Sequence, residues 1–340
     1  MYVRHLVNAF LMILSFVVLG SILSSCCCNK KEEACSDEPS PGLHPCYWIP
    51  DPYRPSYKIT EDVAADKRVI ETNNIPFHIV GRFPNPPYNP DYISEVNEIY
   101  RIPLHPSSSG TSLTPLLNLT SGPAYEFGIA INGITFDPVA NEPWAKDTKY
   151  ESYEWNLEAI NNTYRLGLDC NYGHVQPVNV MDTTQPGHQH TDHPERQPKN
   201  NRDTVREPRP GIYHYHGIPT GLIDSLVINK KSGMILVGFA ADGFPVYYLF
   251  GDIKKLRSSW QLKTGNRPGD GISAPCGVYD GTYTNDYEFV SGSGDLDRCN
   301  GTTGTTPEFG VTYFYVITEE FPMIPRFLKG KPSNDFKIGP

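Results

Sequence analysis

No run of lysine and arginine longer than a few residues occurs in this chain, and its formal net charge is −9. Phosphate backbones are gripped by clustered positive charge, so a nucleic-acid partner is not expected. There is no Cys-x-x-Cys pair, which argues against a structural zinc knuckle. There is no Gly-x-Ser-x-Gly elbow; Ser291-Gly292-Ser293-Gly294 reads as loop without a strand-to-helix turn. Gly-rich phosphate motifs are also missing, so no nucleotide cofactor is expected. Helical periodicity is scarce. The best helix candidate is Glu151–Ile160, where Tyr153, Leu157 and Ile160 share one face, although its aromatic content leaves a strand open.

What the chain does have is 32 prolines, 29 glycines and 21 tyrosines in 340 residues. Proline and glycine cut a chain into short elements, and tyrosine favours strands. The hydrophobic share of 39% is enough for one large or two small cores. The expected fold is mostly β: a single large β-sandwich-like domain with short hairpins, long loops and at most one or two short helices. Phe127–Phe136 is the clearest hairpin, two apolar runs around Asn132-Gly133, and predicts a type I′ turn. Val237–Tyr247 repeats it around Asp242-Gly243, with Gly128 matching Gly238 and Ala130 matching Ala240. The match predicts two related hairpins facing each other in two sheets, and so internal pseudo-symmetry within one domain. Val311–Ile317 alternates as a strand, and Leu222–Val227 fits a strand or a short helix.

The N-terminus reads as an export signal. A short basic start precedes an apolar run from Leu6 to Leu23, and Leu23-Ser24-Ser25-Cys26 resembles a lipobox. Residues 1–25 are therefore expected to be removed and Cys26 to carry lipid; an uncleaved membrane anchor is the alternative. Lys31-Glu32-Glu33 is similar to the charged export signal of some bacterial surface lipoproteins. Residues 26–66 read as a flexible tether in which Cys35 and Cys46 clip to one another or to the body. Residues 67–331 form the body, 178–210 are a polar, disordered insertion within it, and 332–340 are a tail. The expected location is the bacterial cell envelope, lipid-anchored at the outer membrane or cell surface, with the membrane as partner.

Chemistry concentrates in Gly211-Ile212-Tyr213-His214-Tyr215-His216-Gly217. A strand sends successive side chains to opposite faces. His214 and His216 then point one way, and Tyr213 and Tyr215 pack on the other. Two imidazoles on one face can chelate a metal. With His174, or with a carboxylate such as Asp169 or Asp242, they would complete a shell for copper or zinc. The competing reading holds the same histidines in a hydrogen-bonded network without metal. Two weaker motifs occur. Gly187-His188-Gln189-His190-Thr191-Asp192-His193 lies in the insertion, and Asp295 to Gly301 reads as an Asx-rich turn rather than a calcium loop. A second class of function, glycan or protein binding, would need Trp144, Trp155, Tyr247 and Tyr283 to form an exposed aromatic patch.

Taken as a set, these segments resemble one family. Phe127–Pro138 with Trp144, Leu166 through Pro177, Gly211–Gly217, Asp242-Gly243-Phe244-Pro245, Asp280-Gly281-Thr282-Tyr283, Asp297 to Gly301 and Thr306-Pro307-Glu308 look like the YHYH domain family of bacterial exported proteins. The resemblance spans roughly residues 69–330 and implies an exported context but no activity. It places the Tyr-His-Tyr-His strand soon after His174-Val175-Gln176-Pro177, whereas here residues 178–210 intervene. It also implies a cysteine near position 327 to partner Cys299. Phe327 stands there instead, which leaves Cys276–Cys299 as the expected pair.

Overall fold

The computed structural model describes residues 42–178 and 207–339. Among them β1 (Tyr57–Asp62), β2 (Lys67–Thr72) and β3 (Glu98–Pro103) form an antiparallel three-stranded sheet. A nine-stranded sheet contains β4 (Gly128–Ala130), β5 (Thr135–Phe136), β6 (Gly173–Pro177) and β7 (Pro210–Tyr215). After α1 (Thr220–Val227) it continues with β8 (Gly233–Ala240), β9 (Pro245–Phe250), β10 (Gly301–Thr306) and β11 (Gly310–Ile317). The order is β6-β7-β5-β4-β8-β9-β11-β10, with the short strand Tyr92–Ile93 added on β7. Both sheets feed one core: Ile70, Tyr100 and Ile102 of the small sheet join Ile129, Phe136, Tyr213, Tyr215, Phe239 and Tyr315 of the large one. The fold is thus mostly β and sandwich-like.

The two hairpins lie side by side in one sheet rather than facing each other. Strands β4 and β8 pair antiparallel, with Gly128 opposite Ala240 and Ala130 opposite Gly238. The residue numbers exchange under a shift of 110, as a two-fold axis through this pair requires. Each hairpin closes in the same way: Gly133 N–H donates to the Ala130 carbonyl at 2.9 Å and Gly243 N–H to the Ala240 carbonyl at 2.8 Å. Gly133 and Gly243 have φ of +80° and +91°, while Asn132 and Asp242 do not adopt positive φ. The expected type I′ turn needs positive φ at both central residues. The observed turn is instead type I followed by a left-handed glycine, which that glycine alone can supply without strain.

The repetition extends well beyond the hairpins. Strand β5 runs parallel to β7 with Phe136 opposite Tyr215, and β9 runs parallel to β11 with Val246 opposite Tyr315. Gly173 of β6 faces Tyr215, and Gly301 of β10 faces Tyr315. The loops before those glycines match atom by atom. Asp169 Oδ1 accepts from the N–H groups of Asn171 and Gly173 at 2.9 and 3.1 Å; Asp297 Oδ1 accepts from Cys299 and Gly301 at the same distances. The Tyr213 hydroxyl donates to Asp169 at 2.9 Å, and the Tyr313 hydroxyl to Asp297 at 3.1 Å. A Cβ on Gly173 would lie 2.2 Å from the Tyr213 hydroxyl, and one on Gly301 would lie 2.2 Å from that of Tyr313. Glycine is required at both places because each tyrosine crosses directly over it. The large sheet is therefore two copies of one four-strand unit, and Tyr213-His214-Tyr215-His216 corresponds to Tyr313-Phe314-Tyr315-Val316.

Three other expectations are corrected. Glu151–Ile160 is not a helix: Ser152–Asn156 is a strand paired with Pro143–Trp144, followed by a short 3₁₀ turn at Ala159–Asn161. Its aromatic residues favour a pleated surface over the helical face. Part of the stretch read as tether is folded, because β1 pairs with β2 and Cys46–Trp48 pairs with Val80–Gly81. Cys276 and Cys299 are not bridged to each other; the disulfide joins Cys46 to Cys170 across 124 residues. Cys299 lies in the main core, where burial and then the Asp297 carboxylate push its thiol up to about 12, while Cys276 belongs to the loop held by Arg267. Residues 1–41, with Cys26, and 179–206, with His188, His190 and His193, lie outside the described residues.

Candidate metal centre

Two strands bring the histidines together. His174 on β6 is the direct cross-strand neighbour of His214 on β7, and His216 follows just past the end of β7. Cross-strand neighbours share a face, and residues two apart along a strand do too. Among the described residues, ligand atoms of His174, His214 and His216 lie within 4.8 Å of one another. His216 Nε2 is 3.0 Å from His174 Nε2 and 3.1 Å from His214 Nε2. His214 and His216 are each 2% exposed, and His174 keeps slightly more surface.

Hydrogen bonding at the far side of the His174 and His214 rings selects the nitrogen that faces inward. His174 Nδ1 lies 3.0 Å from the Leu166 carbonyl, and His214 Nδ1 lies 3.4 Å from the Ile212 carbonyl. A neutral imidazole carries one proton, so donation at Nδ1 leaves the Nε2 lone pair free to coordinate. His216 Nδ1 is buried and faces the Pro138 carbonyl without a well-formed hydrogen bond. One proton on His216 Nε2 can serve only one of the two Nε2 lone pairs that face it. A cation between the rings satisfies all three. Tetrahedral bonds of about 2.0–2.1 Å would set ligand nitrogens about 3.3 Å apart, a few tenths of an ångström wider than the two contacts of His216 Nε2.

Electrostatics keep His174 and His216 neutral. Burial lowers the His174 imidazole to about 4, only partly offset by the Leu166 carbonyl and Asp91. His216 is held well below the ordinary histidine value, first by burial, then by the two neighbouring imidazoles and the Arg326 guanidinium. Metal binding needs neutral imidazole, so these two rings are in their ligating form without prior deprotonation. His174, His214 and His216 could hold a metal ion on this geometry.

The two carboxylates read from the sequence as alternative ligands lie elsewhere. Asp169 serves the Tyr213 hydroxyl and the N–H groups of Gly81, Asn171 and Gly173, on the tyrosine side of the sheet. Asp242 accepts from the Tyr315 hydroxyl at 2.5 Å and from Gly330 N–H at 2.8 Å, in the other unit. The aromatic patch does not form: Trp155 and Tyr247 are buried, and only Trp144 and Tyr283 retain partial exposure. Residues not singled out from the sequence include Thr135 and Asp137. They flank Phe136, whose ring packs 5.9 Å from Tyr215 on the opposite face. Arg326 was also unmarked; it is buried and paired at 2.5 Å with buried Glu158. The alternation around Phe136 was the available signal for the first two.

The second unit shows what this face looks like without histidines. Its equivalents of His174, His214 and His216 are Thr302, Phe314 and Val316. Phe314 and Val316 pack with Tyr247, Leu249 and Leu296 in a separate apolar cluster. The same backbone is therefore built with an apolar filling, and the strand pairing does not require imidazole.

The protein is, in class, a duplicated β-sheet protein carrying a buried three-histidine cluster at one end of its sheet. It belongs to the YHYH protein family, whose model matches residues 99–188 and 202–330. The gap in that match falls within the insertion between β6 and β7. Searches of curated proteins and of solved structures returned no match.

Proposed function

We propose that the protein is a lipid-anchored envelope or surface protein that binds one copper or zinc ion through Nε2 of His174, His214 and His216. The observation that carries this reading is the convergence of three buried imidazoles, with Nε2 of His174 and of His214 at 3.0 and 3.1 Å from His216 Nε2. Imidazole suits both metals. Three protein ligands leave one position of a tetrahedral site for water or substrate, which is the arrangement of catalytic zinc sites. The reaction is left unassigned. A metal-free structural network is disfavoured because the second unit forms the same sheet with threonine, phenylalanine and valine.

The Cys46–Cys170 bridge supports the exported part of the proposal, since such bonds persist in oxidising compartments. The lipobox-like Leu23-Ser24-Ser25-Cys26 supports the anchored part. Two measurements test the two halves. Elemental analysis of untagged protein is expected to find about one equivalent of copper or zinc per chain, directly or after reconstitution; none in either case sinks the metal reading. Expressed in an exporting bacterium, the protein is expected to sediment with membranes, and Cys26→Ser to release it. A variant that stays with the membrane at wild-type level would point to an uncleaved anchor.

A further inference from the structure

One surface of the fold is apolar close to where the described chain begins. Cys46–Trp48 pairs with Val80–Gly81 as a two-stranded ribbon, with Trp48 opposite Val80. Trp48 and Val80 pack into the main core, so the residues on either side of them turn outward. Tyr47 is 66% exposed, Ile49 63%, Ile79 51% and Phe77 38%. Continuing the register by one pair sets Ile49 beside Ile79. Single exposed apolar side chains are ordinary, but a run of outward positions with no polar member marks a contact surface. Arg82, also exposed, follows the run with a charge that suits anionic headgroups.

The ribbon lies over the tyrosine side of the large sheet. His78, between Phe77 and Ile79, turns inward and sets its Nε2 2.6 Å from the Tyr215 hydroxyl. Gly81 N–H donates to Asp169 at 2.8 Å, and Asp169 also takes the Tyr213 hydroxyl. The disulfide ties Cys46 to Cys170 in the same loop. The ribbon is thus fixed to the body, and His214 and His216 occupy the opposite face of β7.

Chain length selects what covers this surface. Gly42 is 16 residues from Cys26 and only four from Cys46. A flexible chain of that length spans about 20–25 Å on average, and about 55 Å at full stretch. A body of the described size is about 45–50 Å across. A lipid on Cys26 therefore holds the ribbon within about half a body width of the bilayer, nearer than the far side of the molecule can come. Tyrosine and apolar side chains favour the bilayer interface, and an acyl anchor is strengthened by such a second contact.

We propose that the face formed by Tyr47, Ile49, Phe77 and Ile79 rests on the lipid surface of the membrane, so that the body lies tyrosine side down and the histidine face of β7 turns away from the bilayer. The inference rests on the lipid-anchor half of the reading above. It makes the anchor set the orientation of the histidine site as well as its location.

The test is photolabelling of the full-length protein in its membranes with a diazirine-bearing phospholipid, read by peptide mass spectrometry. Labels are expected on peptides carrying Tyr47, Ile49, Phe77 and Ile79. They are not expected on residues 254–257, where Leu256 packs against Phe314 and Val316 on the side that corresponds to the histidines. Tyr47→Ser, Ile49→Ser and Ile79→Ser together are expected to cut the ribbon's labelling to the level of residues 254–257, while the protein stays with the membrane through Cys26. The melt should hardly move, since exposed side chains are replaced. Should that variant fail to fold, the wild-type labelling pattern decides alone. Wild type that does not sediment with membranes overturns the anchor reading and this inference together. Membrane-bound wild type whose labels spread evenly or avoid the ribbon overturns only this one. A detergent-solubilised dimer that the triple variant converts to monomer would assign the face to a second copy of the chain and also overturn it.

Discussion

Replacing His174, His214 and His216 with threonine, phenylalanine and valine is expected to abolish metal binding while the protein stays folded. These are the residues that the second unit carries at the equivalent positions, where Phe314 and Val316 are 4% and 2% exposed. The substitution transplants a filling already shown to fit this backbone. Each new apolar side chain gains about 1.5–3 kcal/mol of burial, against about 1–3 kcal/mol if the surroundings fit it imperfectly. The metal-free triple variant should therefore unfold within about 2 kcal/mol of metal-free wild type. The contrast appears on adding metal. At a thousand times the dissociation constant, wild type should gain about 4 kcal/mol and the variant nothing. Elemental analysis and urea unfolding with and without chelator read both quantities. Retained metal in a folded variant would place the ion elsewhere. Collapse of the chelated variant would mean that the histidines hold the sheet together.

The second large effect concerns the bridge between Cys46 and Cys170. Cross-linking two points 124 residues apart removes much of the freedom of the unfolded chain. For a loop of that size the entropic contribution is about 4–5 kcal/mol. Serine at both positions is expected to lower unfolding stability by about that amount, and dithiothreitol to do the same to wild type. The loss should be felt near the metal site. Cys170 adjoins Asp169, whose carboxylate gathers the N–H groups of Gly81, Asn171 and Gly173 and the Tyr213 hydroxyl just before His174. The Leu166 carbonyl that orients His174 belongs to the same loop. Weaker metal binding should therefore accompany the drop in stability. A change below about 1 kcal/mol in the urea experiment would show that the bridge adds little to a loop already held by its hydrogen bonds.

Buried carboxylates on the tyrosine side illustrate why the two faces of one strand differ in role. Asp169 and Asp242 each have a tyrosine hydroxyl and backbone donors, so their lone pairs are spoken for within the fold. Both carboxyls are nevertheless pushed up by burial, the largest influence on each. They belong to the architecture that the two units share. The imidazoles belong to what only one unit has.

Local pattern was legible in the residues themselves. Alternation in Tyr213–His216 and in Val311–Ile317, and the glycine-closed hairpins at Asn132-Gly133 and Asp242-Gly243, follow from side-chain period and turn chemistry over a few residues. The division of the motif into a tyrosine face and a histidine face was legible for the same reason. So was His174 as a candidate companion of His214 and His216, through its residue type. The tertiary structure alone decided the remainder. It set β5 and β7 parallel, put His174 directly opposite His214, chose Cys170 for Cys46, and sent Asp169 and Asp242 to the tyrosine side. It also revealed that Tyr-Phe-Tyr-Val repeats Tyr-His-Tyr-His. Period along a strand is a property of neighbouring residues, whereas register and partner depend on which distant strands the closed core allows to meet, and no short window of sequence carries that choice.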